Sequence, residues 1–207
     1  MPQATAPHKE RRWACACVLL ILVMALFAAC RSNPVSEGPI STLPDLTLPD
    51  VRGGAFHLRS QPAQPLLLAF LQTVPDTSDT PSRSQVVILA SMAKQYGPRG
   101  LRVVAVDATT MVLGLPPARG ASGDRSSPPE WSNDSVRNTS YDWQLRFPLL
   151  IDRDGNLARK LEVDQVPTTF LISAQGRILH RWRGFTRPAV LAQAIEELLG
   201  GPLAKTP

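Results

Sequence analysis

The sequence predicts an α/β fold with a central mixed sheet flanked by helices, preceded by an N-terminal hairpin extension. Three observations carry that prediction. Residues 66–71, Leu-Leu-Leu-Ala-Phe-Leu, are apolar at every position, as in a central strand covered on both faces. A turn-forming loop and a helix-period stretch follow, and then a second apolar strand over residues 101–107, which together make a βαβ unit. Near the C-terminus, a proline heads a third kind of apolar run, followed by a Gly-centred hairpin and an amphipathic helix.

Taken in order, residues 1–30 have a basic polar start with Lys9, Arg11 and Arg12, an apolar run from Trp13 to Ala29, and the small-residue end Ala28-Ala29-Cys30. This is a secretory signal pattern. Its end resembles a bacterial lipobox in which Cys30 is acylated and becomes the mature N-terminus, with Phe27 where the motif usually has Leu. An uncleaved anchor helix and an ordinary cleaved signal are the other two readings. All three place the body across the bacterial cell membrane, and the lipid and anchor readings put it on the extracytoplasmic face. Lipid and anchor both tether it there. Residues 31–43 form a polar linker without periodicity. The predicted domain runs over residues 44–200, with a short tail at 201–207.

Within that domain, residues 43–58 hold two short extended pieces around Gly53-Gly54, the pattern of a hairpin. After the strand at 66–71, Thr80 or Ser82 can cap a helix with Val86, Leu89, Met92, Ala93 and Tyr96 on its apolar face. Gly97, Pro98 and Gly100 stop it. Residues 109–134 are a long insertion rich in Gly, Pro and Ser; loops of that length are functional or mobile. A short helix over 135–145 turns Val136, Tyr141 and Trp143 partly inward, and Trp131 flanks the same insertion; these aromatics pack the insertion onto the body. Residues 147–151 are a third strand, ended by the turn Asp152-Arg153-Asp154-Gly155 and a short helix over 156–161. Pro167 heads the next strand, residues 174–177 turn the chain, and residues 178–183 return. Residues 187–199 form the last helix, with Val190, Leu191, Ala194, Ile195 and Leu198 on one face.

Composition excludes several functions. The net charge is +5; setting aside Lys9, Arg11, Arg12 and Glu10 leaves 19 basic and 16 acidic residues, too even a balance for nucleic-acid binding. Arg177, Arg181, Arg183 and Arg187 form one basic cluster, read as a solvated strand face. The cysteines are Cys15, Cys17 and Cys30. The body therefore has no thiol, no intrachain disulfide and no thiolate metal site.

Three blocks reveal a resemblance. They are Leu46-Thr47-Leu48-Pro49-Asp50 with Phe56-His57-Leu58; Phe147-Pro148-Leu149-Leu150-Ile151-Asp152; and Gln165-Val166-Pro167-Thr168-Thr169-Phe170 with Gly176-Arg177-Ile178 and Gly184. Together they resemble the thioredoxin-like superfamily, in the membrane-tethered extracytoplasmic redoxin group (alkyl hydroperoxide reductase/thiol-specific antioxidant). The resemblance implies a thioredoxin-like fold, a cis peptide at Pro167 and a binding groove at Val166, Pro167 and Thr168. It also implies Cys-x-x-Cys-Arg at the loop–helix junction. Here Arg83 falls on that arginine, and Asp79 and Ser82 fall on the cysteine positions. The peroxiredoxin pattern puts Pro75 on its proline, with Asp79 replacing threonine and Ser82 the attacking cysteine. A hydroxyl cannot exchange with disulfides or cycle through sulfenic acid.

Three functions are open to such a chain. It can be a redox-inactive module binding an extended protein or peptide partner along the groove, with Val166 offering its backbone. It can be a thiol-disulfide or peroxide oxidoreductase that borrows a redox group. Or Ser82 can act as a nucleophile, which needs a base such as His57 or His180, both set on alternating strand patterns where a solvated histidine is the commoner use. Asp76 and Asp79 could hold a hard cation, but turn formation accounts for both. A copper site of the thioredoxin-like chaperone kind needs cysteines that are missing. No cofactor and no metal is expected.

Overall fold

The computed structural model describes residues 42–59, 63–73, 80–109 and 132–201. A two-stranded hairpin comes first, β1 (Thr47–Pro49) against β2 (Ala55–His57). Gly53 and Gly54 turn it with φ of +99° and +93°, a region that side chains with a Cβ rarely adopt. The main sheet has five strands: β3 (Leu66–Leu71), β4 (Arg102–Asp107), β5 (Leu149–Ile151), β6 (Thr168–Ile172) and β7 (Ile178–Arg183). Their spatial order is β5-β4-β3-β6-β7. β3, β4 and β5 run parallel, while β6 runs antiparallel to both β3 and β7. Asp50 and Leu150 bridge the hairpin to this sheet, and Thr42 bridges to Arg177.

β3 explains the layering. Its side chains alternate faces, and both faces are apolar. Leu67, Ala69 and Leu71 enter one core and Leu66, Leu68 and Phe70 the other. The first core lies under α1 (Pro81–Tyr96), α2 (Asn133–Asp142) and α4 (Pro188–Leu198), which contribute Val86, Leu89, Met92, Val136, Leu191 and Ile195. α3 (Asn156–Lys160) covers the second with Leu157 and Ala158, joined by Leu43 and Leu58 from the N-terminal segment. Phe70 and Phe170 meet edge-on there, with centroids 5.9 Å apart. The mixed sheet between helical layers is the architecture the sequence predicts.

Helix boundaries follow their caps. The Thr80 hydroxyl accepts from Arg83 N–H at 3.2 Å, and Pro81 opens α1 where no amide is needed. Between the two capping residues the sequence left open, Thr80 is the one used. α2 starts at Asn133, earlier than predicted, because Ser132 and Ser135 cap it reciprocally. Tyr141 corrects the expectation of an inward aromatic: it is 63% exposed, whereas Val136 is buried and Trp143 packs against the core. Tyr141 is five residues past Val136, and the helical angle turns it off the buried stripe.

Residues 1–41, with Cys30 and all of the expected linker except Thr42 and Leu43, residues 74–79, and residues 110–131 of the insertion, Trp131 among them, lie outside the described residues. No helix among the described residues is long and apolar enough to cross a membrane.

Candidate functional site

The site is built where β3 ends and α1 begins. Ser82, in the first turn of α1, is 2% exposed. Its Oγ accepts from Gln72 N–H at 3.0 Å, so the hydroxyl closes the strand–loop–helix connection. Arg83 is half-buried beside it. Asp79, the other residue assigned to a cysteine position, is outside the described residues, as are Pro75 and Asp76.

The opposite wall is the segment ahead of β6. The Val166–Pro167 peptide is cis. β3 and β6 pair Phe70 with Thr168. The C-terminal end of β3 therefore lies beside the N-terminal end of β6. Ser82 is bonded to Gln72, two residues beyond that pair on one chain segment, and Pro167 immediately precedes it on the other. Pro167 and Thr168 are buried, while Val166 is half-buried and precedes the paired stretch of β6. The Pro167 carbonyl accepts from Gly184 N–H at 2.7 Å, and Thr168 Oγ1 donates to the Gln165 carbonyl at 2.7 Å. Gly184 takes a φ of +77°, and the turn continues to Thr186, whose N–H donates to Gln85 Oε1 at 2.8 Å. Gln85 lies on α1, one turn beyond Ser82. Helix, proline loop and β7–α4 turn are thus tied into one frame.

Residues 40–181 match the AhpC/TSA family. The chain belongs to that family.

Among its relatives is the thiol-disulfide oxidoreductase ResA of Bacillus subtilis (strain 168), 25% identical over 170 residues, covering 78% of this chain and 79% of that one. The fold is also similar to that of a solved structure from Chlorobium tepidum described as a thiol:disulfide interchange protein DsbE. That likeness has a TM-score of 0.61 at 24% identity, over 80% of this chain and 100% of the other. A thiol-disulfide oxidoreductase from Bacteroides fragilis NCTC 9343 aligns with a TM-score of 0.56 at 18% identity, over 76% and 99%. This AhpC/TSA chain is thus a thioredoxin-fold redoxin related to thiol-disulfide oxidoreductases. Exchange chemistry needs a thiolate as nucleophile, and this member has no cysteine after Cys30.

Neither histidine is bound to the Ser82 hydroxyl. His57 Nδ1 is 2.7 Å from Thr47 Oγ1 on the exposed hairpin. His180 stacks on Trp182 on β7, with centroids 5.2 Å apart and rings 8° from parallel. Among the described residues no group of three or more His, Cys, Asp or Glu could hold a metal ion. Two members of the basic cluster have local partners. Arg183 lies 3.2 Å and Arg181 3.7 Å from Asp164; Arg181 also donates to the Glu162 carbonyl and lies over the Phe170 ring.

A polar network behind the site is absent from the sequence reading. Asp107, at the end of β4, is buried. Its Oδ1 accepts from Thr73 Oγ1 at 2.7 Å and from Thr109 Oγ1 at 2.5 Å. Thr73 N–H donates to Thr109 Oγ1 at 3.1 Å, and Thr139 Oγ1 donates to the Thr73 carbonyl at 3.1 Å. The Asp107 carboxylate therefore joins the segments that follow β3 and β4, and Thr139 ties α2 to the first of them through the Thr73 carbonyl, just where the chain leaves for residues 74–79 and for the insertion. The one signal for it in the sequence was an acid ending an otherwise apolar strand, with threonine two residues on.

Proposed function

We propose that this chain is a redox-inactive member of the AhpC/TSA family, tethered on the extracytoplasmic face of the membrane, that binds an extended protein segment along Val166, Pro167 and Thr168. The observation that carries the reading is Ser82: an oxygen buried at the loop–helix junction, engaged with Gln72 N–H, in a body without sulfur nucleophiles. A hydroxyl in that place holds the loop to the helix but cannot pass electrons. Val166 supports the binding half of the reading. It is half-buried and lies just ahead of the laddered part of β6, where an extended partner can add as a strand. The signal-like leader and Cys30 support the tether, and mass spectrometry of the mature N-terminus separates acylated Cys30 from an intact or a cleaved leader.

The relatives' names favour a second reading, an oxidoreductase that borrows its redox group. Insulin-reduction and peroxide-consumption assays on the purified chain distinguish the two. The redox-inactive reading expects turnover no higher than a blank. Crosslinking then identifies the partner, and Val166→Pro, which removes one backbone donor, should weaken its capture. Turnover above the blank, or undiminished capture by Val166→Pro, would overturn the first reading.

A further inference from the structure

A pocket of about 220 Å³ opens at the end of the sheet remote from Ser82. It is lined by Arg59 and Arg102, with Gln64 and Gln175 as further polar walls and Leu66 and Ile172 as apolar ones. Leu66 pairs with Arg102 and with Ile172, so this is where the parallel strands begin, not where they end. No carboxylate is among the described residues that line it.

Each guanidinium has a neighbour in the fold. Arg59 lies against Gly176, whose φ is +82°. A Cβ there would stand 3.1 Å from Arg59 Nη2 and 3.2 Å from its Nε, so the positive φ calls for glycine and a side chain would press on the Arg59 guanidinium. Arg102 lies over the Phe56 ring, 4.8 Å from its centroid. Burial lowers the Arg102 pKa from its ordinary value. Two arginines lining one pocket, one of them partly desolvated, suit the oxygens of a phosphate group.

We infer that the Arg59–Arg102 pocket binds a phosphate oxyanion. Two sources share that chemistry, a free phosphate and the phosphodiester of an anionic lipid headgroup. The pocket is distinct from the Ser82–Val166 frame, and its occupancy does not depend on how that frame functions.

The test uses the full chain in detergent. Inorganic phosphate is titrated and followed by calorimetry and by the shift in Tm. Saturable binding is expected, weakened about tenfold or more by Arg59→Gln and by Arg102→Gln. Lys94→Gln, which removes the same charge from the exposed face of α1, should leave binding unchanged. Near-UV circular dichroism checks the fold of each variant. Should Arg102→Gln fail to fold, exposed Arg59 carries the test. Phosphatidylglycerol vesicles that displace phosphate, where phosphatidylcholine vesicles do not, point to the headgroup; absence of displacement points to the free anion. No saturable phosphate binding, or equal loss in Lys94→Gln and Arg59→Gln, would overturn the inference.

Discussion

Ser82 shows how one atom changes what a site can do. Its burial and its bond to Gln72 N–H are structural properties that a small side chain with an acceptor supplies. Ser82→Ala should therefore cost about 1 kcal/mol of unfolding free energy, measured by urea denaturation. Introducing sulfur should add chemistry: Asp79→Cys/Ser82→Cys is expected to reduce insulin well above wild type. A folded double variant with no activity would count against the placement of Asp79 and Ser82 on the cysteine positions. Asp152 gives a pH prediction at the same scale. Burial raises its carboxyl pKa above the ordinary value, against the N–H groups of Ala158, Leu157 and Asn156, which lower it. The native state then holds this proton more tightly than the unfolded chain does. The stability it contributes is complete below the unfolded carboxylate pKa and is lost as pH rises through the native one. Relative to Asp152→Asn, wild type should lose stability as pH rises out of the ordinary carboxylate range and through the raised native pKa, read from denaturant unfolding at each pH. A difference that grows with pH would reverse the sign.

At the scale of elements, the caps set where helices begin. Thr80→Ala removes the acceptor for Arg83 N–H and should lower stability by about 1 kcal/mol, with the m-value unchanged. The insertion is a separate matter. Thr109 on one side is held by Asp107, and Ser132 on the other by the cap of α2. Removing residues 114–129 cuts neither, so the deletion should keep one cooperative thermal transition. Loss of cooperativity would show that the core needs the insertion. The elements themselves were legible where hydrophobic period and length agreed, as in β3, β4, α1 and α4. Tyr141 was misread because a short polar helix leaves the angle of its buried stripe poorly determined by composition. The Asp107 network could not be read at all: Thr73, Asp107, Thr109 and Thr139 span more than sixty positions and meet only once register and crossover are in place.

For the whole molecule, the two cores share one strand. Leu68→Ala would open a cavity beside Phe70, Phe170 and Val104 and should cost about 2–5 kcal/mol, seen as a fall in the urea midpoint. By itself the sequence determined the alternation of strands and helices, the double-sided burial of β3, the absence of thiols from the body and the proline-headed strand. Those are properties of neighbouring residues, and local periodicity reports them. Only the tertiary structure decided that Thr80 caps α1 while Ser82 is turned inward to Gln72 N–H. It also decided that Thr73 and Thr109 meet on one buried carboxylate while Thr139 reaches the Thr73 carbonyl, and that Arg59 and Arg102 line a common pocket. Each of these depends on which side chains a folded register brings together across long stretches of chain, and no local pattern encodes that.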